Sequence, residues 1–224
     1  MSEIGKTEIN EIQKPMPENY RDIVPEKDSP IDKVKDFWSD MFRDDTKRYN
    51  TYEDRINQTR RKDSEAGTWE GDRGESRFIP NKETAEGKAA SEKLAEYGKE
   101  GIDYKNGEPD FSDCSRATVK IDDMTENRVN YEDDNGNMCL GNFAQADIEC
   151  AKKWNEQNKG GCSQWTPRMV QEWRHENKCT WHERADQRTM DLVPEAIHGF
   201  FSHSGGVSEC KTRDAASRGG DFDE

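Results

Sequence analysis

Residues 179–206 read CTWHERADQRTMDLVPEAIHGFFSHSGG, and the fold turns on them. CTWHE (179–183) has the texture of a strand, ADQR (185–188) that of a turn, and TMDLV (189–193) that of a second strand. Pro194 is suited to open a short helix, PEAIHGFFSH, that Gly205-Gly206 would terminate. Just upstream, Thr166 suits an N-cap and Pro167 the first position of a helix running to about Asn177, with Met169, Val170 and Trp173 as its buried face. The order is helix, strand, strand, helix. A ββα unit this small needs a fastener besides its core, and a metal ion is the usual one.

The rest of the chain bounds the answer. In its 224 residues, 30% are hydrophobic and 37% charged, and 34 Lys plus Arg oppose 48 Asp plus Glu for a net charge of −14. No apolar run approaches the roughly 18–20 residues of a spanning helix, and MSEIGKTEINEIQKP lacks the charged-then-apolar pattern of a signal peptide, so the general secretory route is not expected. Broad acidity argues against a bulk nucleic-acid coat. The charge is uneven: residues 1–150 hold 23 basic and 36 acidic side chains, whereas residues 151–224 hold 11 and 12. All four histidines, His175, His182, His198 and His203, lie in that near-neutral second part, so the chemistry is expected there. The six cysteines form no CxxC pair and read as reduced thiols.

Residues 1–66 are charged, apolar-poor and carry prolines at 15, 17, 25 and 30, so this segment is expected to be largely extended. Its exception is an amphipathic helix over Ile31–Phe42, read as packing on its own domain or docking a partner. Residues 67–224 form the expected second domain, with the ββα core at about 166–211. GTWEGDRGESRFIP (67–80) reads as a loop with short extended pieces, 82–100 as a helix, and Asn106-Gly107 as a tight reversal. ATVKI supplies strand material, and 142–158 a helix burying Phe143, Ala146, Ile148, Ala151 and Trp154. The predicted fold class is α+β, mainly helical and irregular, carrying a C-terminal ββα-metal core.

Within that core, His182, His198 and His203 can be brought together by a hairpin and the following helix, and neutral imidazoles suit divalent ions. Glu183 points away from His182 on a regular strand, so one of them would have to turn at the strand end to share a site. Spacing alone leaves two readings open. One is a catalytic centre; the other is a knuckle-like zinc site in which Cys179, His182, His198 and His203 only hold the fold. His175 reads as a surface residue.

The segment ENKCTWHERADQRTMDLVPEAIHGFFSHSGGVSE resembles the nuclease core of the HNH/endonuclease VII superfamily, WHH branch. That branch shows Trp-His-His, T-M-x-L-V-P and H-x4-H-[ST]-G-G; here Trp181-His182-Glu183, Thr189-Met190, Leu192-Val193-Pro194 and His198/His203-Ser204-Gly205-Gly206 fill those places. GTWEGDRGESRFIP and GIDYKNGEPDFS resemble segments accompanying such nucleases in bacterial polymorphic toxins, so the likeness spans about residues 67–211. Glu183 departs from the pattern, standing where a second histidine is usual. The resemblance implies one divalent ion (Mg, Mn, Ni or Zn) on His182 and His198, with His203 a third ligand or phosphate contact. Glu183 would be the general base, or His182 under a shifted alignment. Arg184, Arg188 and Lys211, and more weakly Arg73 and Glu75, are candidate substrate contacts. The implied function is a metal-dependent DNA endonuclease, an antibacterial effector made without a signal peptide. It would be exported by a specialised secretion system through a delivery partner or adaptor, act in the target-cell cytoplasm and be neutralised by a cognate immunity protein. A non-toxin HNH nuclease of a mobile element or repair, and a non-catalytic zinc-stabilised binding module, are the alternatives. On this reading, deleting residues 1–60 spares catalysis.

Overall fold

The computed structural model describes residues 47–219; the helix expected over Ile31–Phe42 lies outside them. The architecture is α+β, built from short helices and small antiparallel sheets. Helix α1 (Tyr52–Asn57) is followed by strands β1 (Gly67–Trp69) and β2 (Arg77–Pro80), helix α2 (Ala85–Ala95), and strands β3 (Ile102–Lys105) and β4 (Glu108–Pro109). Strand β5 (Thr118–Lys120) and the hairpin β6 (Tyr131–Glu132) and β7 (Met138–Cys139) lead to helix α3 (Asn142–Glu156). The C-terminal part runs α4 (Pro167–Glu176), β8 (Cys179–Glu183), β9 (Thr189–Pro194), α5 (Glu195–His198) and α6 (Gly206–Gly219). One antiparallel sheet has the order β1-β2-β3-β4 and another β5-β9-β8.

Local chemistry accounts for the boundaries. The Thr166 hydroxyl accepts from the Met169 N–H and Pro167 opens α4, the cap expected from sequence. Thr84 caps α2 in the same way, through the Gly87 N–H. Asn106 (φ 55°) and Gly107 (φ 77°) take the left-handed conformations of a two-residue hairpin between β3 and β4.

Strand β9 organises the molecule, because all six of its residues are buried. Met190 and Leu192 join Trp181, Cys179 and Val119 in a cluster with Phe143, Cys150 and Trp154 of α3 and Val170 of α4. Val193 faces the other way, into a cluster of Phe78, Leu94, Ile102, Tyr104, Phe111, Ile197, Phe200 and Phe201. Period-two alternation thus sends β9 into two cores at once. The register aligns Trp181 with Leu192, His182 with Asp191 and Glu183 with Met190.

Four expectations need correction. Met169 is exposed and Arg174 takes the buried position on α4, paired with Asp147. Ile148 is only half-buried, while its neighbour Asp147 is buried. The helix after Pro194 stops at His198: Phe200 and Phe201 leave it to enter the second cluster, and Gly206 begins the next helix. Gly205 and Gly206 allow that start to press on β8, since a Cβ would lie 2.7 Å from the Glu183 carbonyl oxygen and 2.5 Å from that of Arg184. Residues 47–66, which the sequence placed in the N-terminal segment, carry α1 and contact the core: Arg55 is buried, and Arg60 donates to the Phe200 carbonyl.

Candidate metal centre and cleft

His182 on β8, His198 at the end of α5 and His203 in the loop before α6 converge, with one ring nitrogen from each within 4.8 Å of the others. The rings pack against one another and around Phe111, which meets His182 edge-on with a centroid separation of 4.9 Å. The His203 Nδ1 lies 2.7 Å from the Phe201 carbonyl oxygen. A carbonyl only accepts, so Nδ1 carries the proton and Nε2 presents its lone pair. That lone pair faces His182 Nδ1 at 3.2 Å. Two nitrogens on one tetrahedral ion with metal–nitrogen bonds of about 2.0–2.1 Å sit about 3.3 Å apart, so the spacing fits a shared cation. Among the described residues, His182 Nε2 is buried with no hydrogen-bond partner. Backbone anchoring of one ring nitrogen leaves the other free, the arrangement a metal-binding histidine would need.

Burial keeps the three imidazoles uncharged. It lowers the pKa of His182 well below the ordinary histidine value and that of His203 as well, and pushes that of His198 down to about 3. Neutral rings are the ligating form. Cys179 is not part of the cluster: its thiol meets the Asn177 carbonyl, and the described metal-capable group is the three histidines alone. Three potential ligands beside an open cleft would leave a coordination position free, which is the pattern of catalytic sites and not of closed structural ones.

The cleft, about 590 Å³, is lined by His182, Glu183, His198 and His203, together with Arg128 and Lys211. Strand β8 stays regular through its end, so Glu183 does face away from His182. Its Oε1 accepts from Asn142 Nδ2 (3.2 Å) and its Oε2 from Arg128 Nε (3.1 Å). Both residues still reach the cleft because it opens at the strand terminus. Burial raises the Glu183 pKa, while Arg128 and the Asn142 amide pull it down.

The other sequence candidates divide. Lys211 is exposed and lines the cleft. Arg184 pairs with Asp191 (Nη2–Oδ1 3.1 Å), and Arg188 is buried in the turn between β8 and β9. Arg73 donates to Thr59, and Glu75 accepts from the Asn106 N–H at 3.1 Å; none of these four lines the cleft. His175 is exposed, as expected. Sequence reading missed Phe111, Arg128 and Asn142. Each lies more than 35 residues before the histidine strand, where no local motif ties it to the site.

No curated protein and no solved structure matches this chain. Residues 101–205, the stretch that carries all three clustered histidines, match the family described as the DNase/tRNase domain of colicin-like bacteriocin, a likeness to a nuclease toxin domain.

Proposed function

We propose that this protein is a metal-dependent endonuclease of the ββα-metal, HNH type, cleaving DNA as an antibacterial effector that a cognate immunity protein neutralises. The observation that carries the proposal is the convergence of three neutral imidazoles with a buried carboxylate in one cleft, inside a segment that matches a nuclease toxin family. His182, His198 and His203 would hold the ion, which when bound supplies charge relief on the scissile phosphate and at the leaving oxygen. Glu183 takes the proton from the attacking water. Its raised pKa makes it a stronger base than an exposed carboxylate, and Arg128 and Asn142 fix its orientation. His182 suits the ligand role better than the base role, because its Nδ1 is directed at His203. Lys211 and the open face of Arg128 offer cationic contacts for flanking phosphates in an otherwise acidic chain.

The matched family's description covers both DNA and tRNA cleavage. The test is therefore cleavage of supercoiled plasmid and of tRNA by the purified chain, with divalent metal and with EDTA. Plasmid nicking that requires metal is expected. A folded protein that holds an ion yet cuts neither substrate would overturn the proposal in favour of a structural metal module.

A further inference from the structure

The three ligands do not stand on the ββα unit alone. Between His198 and His203 the chain runs through Phe200, Phe201 and Ser202 without regular structure. Its carbonyls are gripped from elsewhere. The Arg60 guanidinium donates to the Phe200 carbonyl through Nη2 (3.0 Å) and Nε (3.3 Å) and lies over the Phe200 ring, 5.3 Å from its centroid. The next carbonyl along, that of Phe201, is the one that orients His203. The Tyr104 hydroxyl donates to the third, Ser202, at 3.1 Å. Arg60 is itself fixed: its own carbonyl accepts from Trp69 Nε1 (2.9 Å), and Arg73 holds the preceding residue, donating to the Thr59 hydroxyl (3.0 Å) and carbonyl (2.7 Å).

The same segment also grips the far side of the loop. The Tyr49 and Asn50 N–H groups donate to Oε2 of Glu209, a fully buried carboxylate in the first turn of α6. The Asn50 side chain donates to Ser208 Oγ (3.1 Å) and accepts from Thr212 Oγ1 (2.7 Å). Between these two attachments, Gln58 reaches the cleft wall.

We propose that residues 49–60 form a clamp that sets the ligand geometry of His198 and His203, with Arg60 as its principal positioning residue. This rests on the assignment of those histidines as metal ligands. It reverses the expectation that residues 1–60 are dispensable, because the clamp lies upstream of the segment, 101–205, that carries the family match. Arg60 touches neither ligand; it acts by fixing the peptide that neighbours the carbonyl holding His203.

The test measures Zn2+ affinity by calorimetry on the full chain and on Arg60→Ala and Arg60→Lys, with plasmid cleavage measured alongside. Removing a group that orients a metal ligand from outside the coordination sphere weakens binding by about 10–100-fold, and the lower end is expected here for Arg60→Ala. Cleavage should lose kcat with KM for DNA unchanged, and Arg60→Lys, which keeps one donor for the Phe200 carbonyl, should recover part of both. A folded Arg60→Ala with parental Zn2+ affinity overturns the clamp, whatever its melting temperature. If Arg60→Ala does not fold, Asn50→Ala, which loosens only the α6 attachment, must show the weakened affinity or the proposal fails. A parent that binds Zn2+ but cuts no nucleic acid would sink the nuclease reading, while the affinity comparison would still decide the clamp.

Discussion

Burial raises the pKa of the Glu183 carboxylate, and two donors oppose that rise. Arg128 and Asn142 each hold one of its oxygens, so its orientation is set from α3 and the loop before it rather than from its own strand. Glu183→Gln preserves shape and one acceptor oxygen but removes proton-accepting capacity. Metal affinity should stay parental while the cleavage rate falls by the roughly 10²–10⁴-fold typical of a lost base. An unchanged rate would transfer the role to His182. The triad itself was legible in the sequence, because three histidines fall within a strand and the chain segment just after the hairpin. Its partners were not: Phe111 and Arg128 sit in irregular chain, where nothing periodic marks a residue as facing a site 50 or more positions away.

Two helices and the histidine strand are joined by one buried polar knot. Arg174 of α4 reaches Asp147 of α3 (Nε–Oδ1 3.1 Å), and the Trp181 indole N–H of β8 donates to the same carboxylate at 2.8 Å. All three side chains are buried, and desolvation raises the Asp147 pKa against the pull of Arg174 and Trp181. Arg174→Met strands that carboxylate, which predicts a loss of about 3–5 kcal/mol in urea unfolding. A loss below about 1 kcal/mol would mean that the pair is not coupled to folding. Hydrophobic periodicity located α3, α4, β8 and β9 closely, since each has an apolar face and α4 has a strong cap. It erred on which residues α4 buries, choosing Met169 over Arg174, because pattern reading assigns charge to the surface and cannot see a partner on another helix. It also prolonged α5 past His198, because continuous apolar residues look helical whether they remain in the helix or leave it to fill a core.

At the scale of the molecule, the two apolar clusters explain why the site needs more chain than its motif. Phe78, Leu94 and Ile102 from the upstream half pack with Phe111, Val193 and Ile197 in the cluster beneath the histidines. All six cysteines are free, and burial raises the thiol pKa of Cys114 and Cys210 to about 11 and that of Cys150 to about 12, so the fold is held by packing and not by disulfide bonds. Among the described residues no helix is long and apolar enough to cross a membrane. On the proposed function, a net charge of −14 would leave nucleic-acid binding to local cations at the cleft, Arg128, Lys211 and a bound ion foremost. Whether three histidines hold one ion that drives strand cleavage is decided by measuring plasmid nicking and bound metal together in the parent and in His198→Ala across a divalent-metal titration. Nicking should rise with occupancy of one ion per parent chain, and a folded His198→Ala should lose both. Nicking that persists in His198→Ala, or that is indifferent to the ion bound by the parent, would contradict the proposed function.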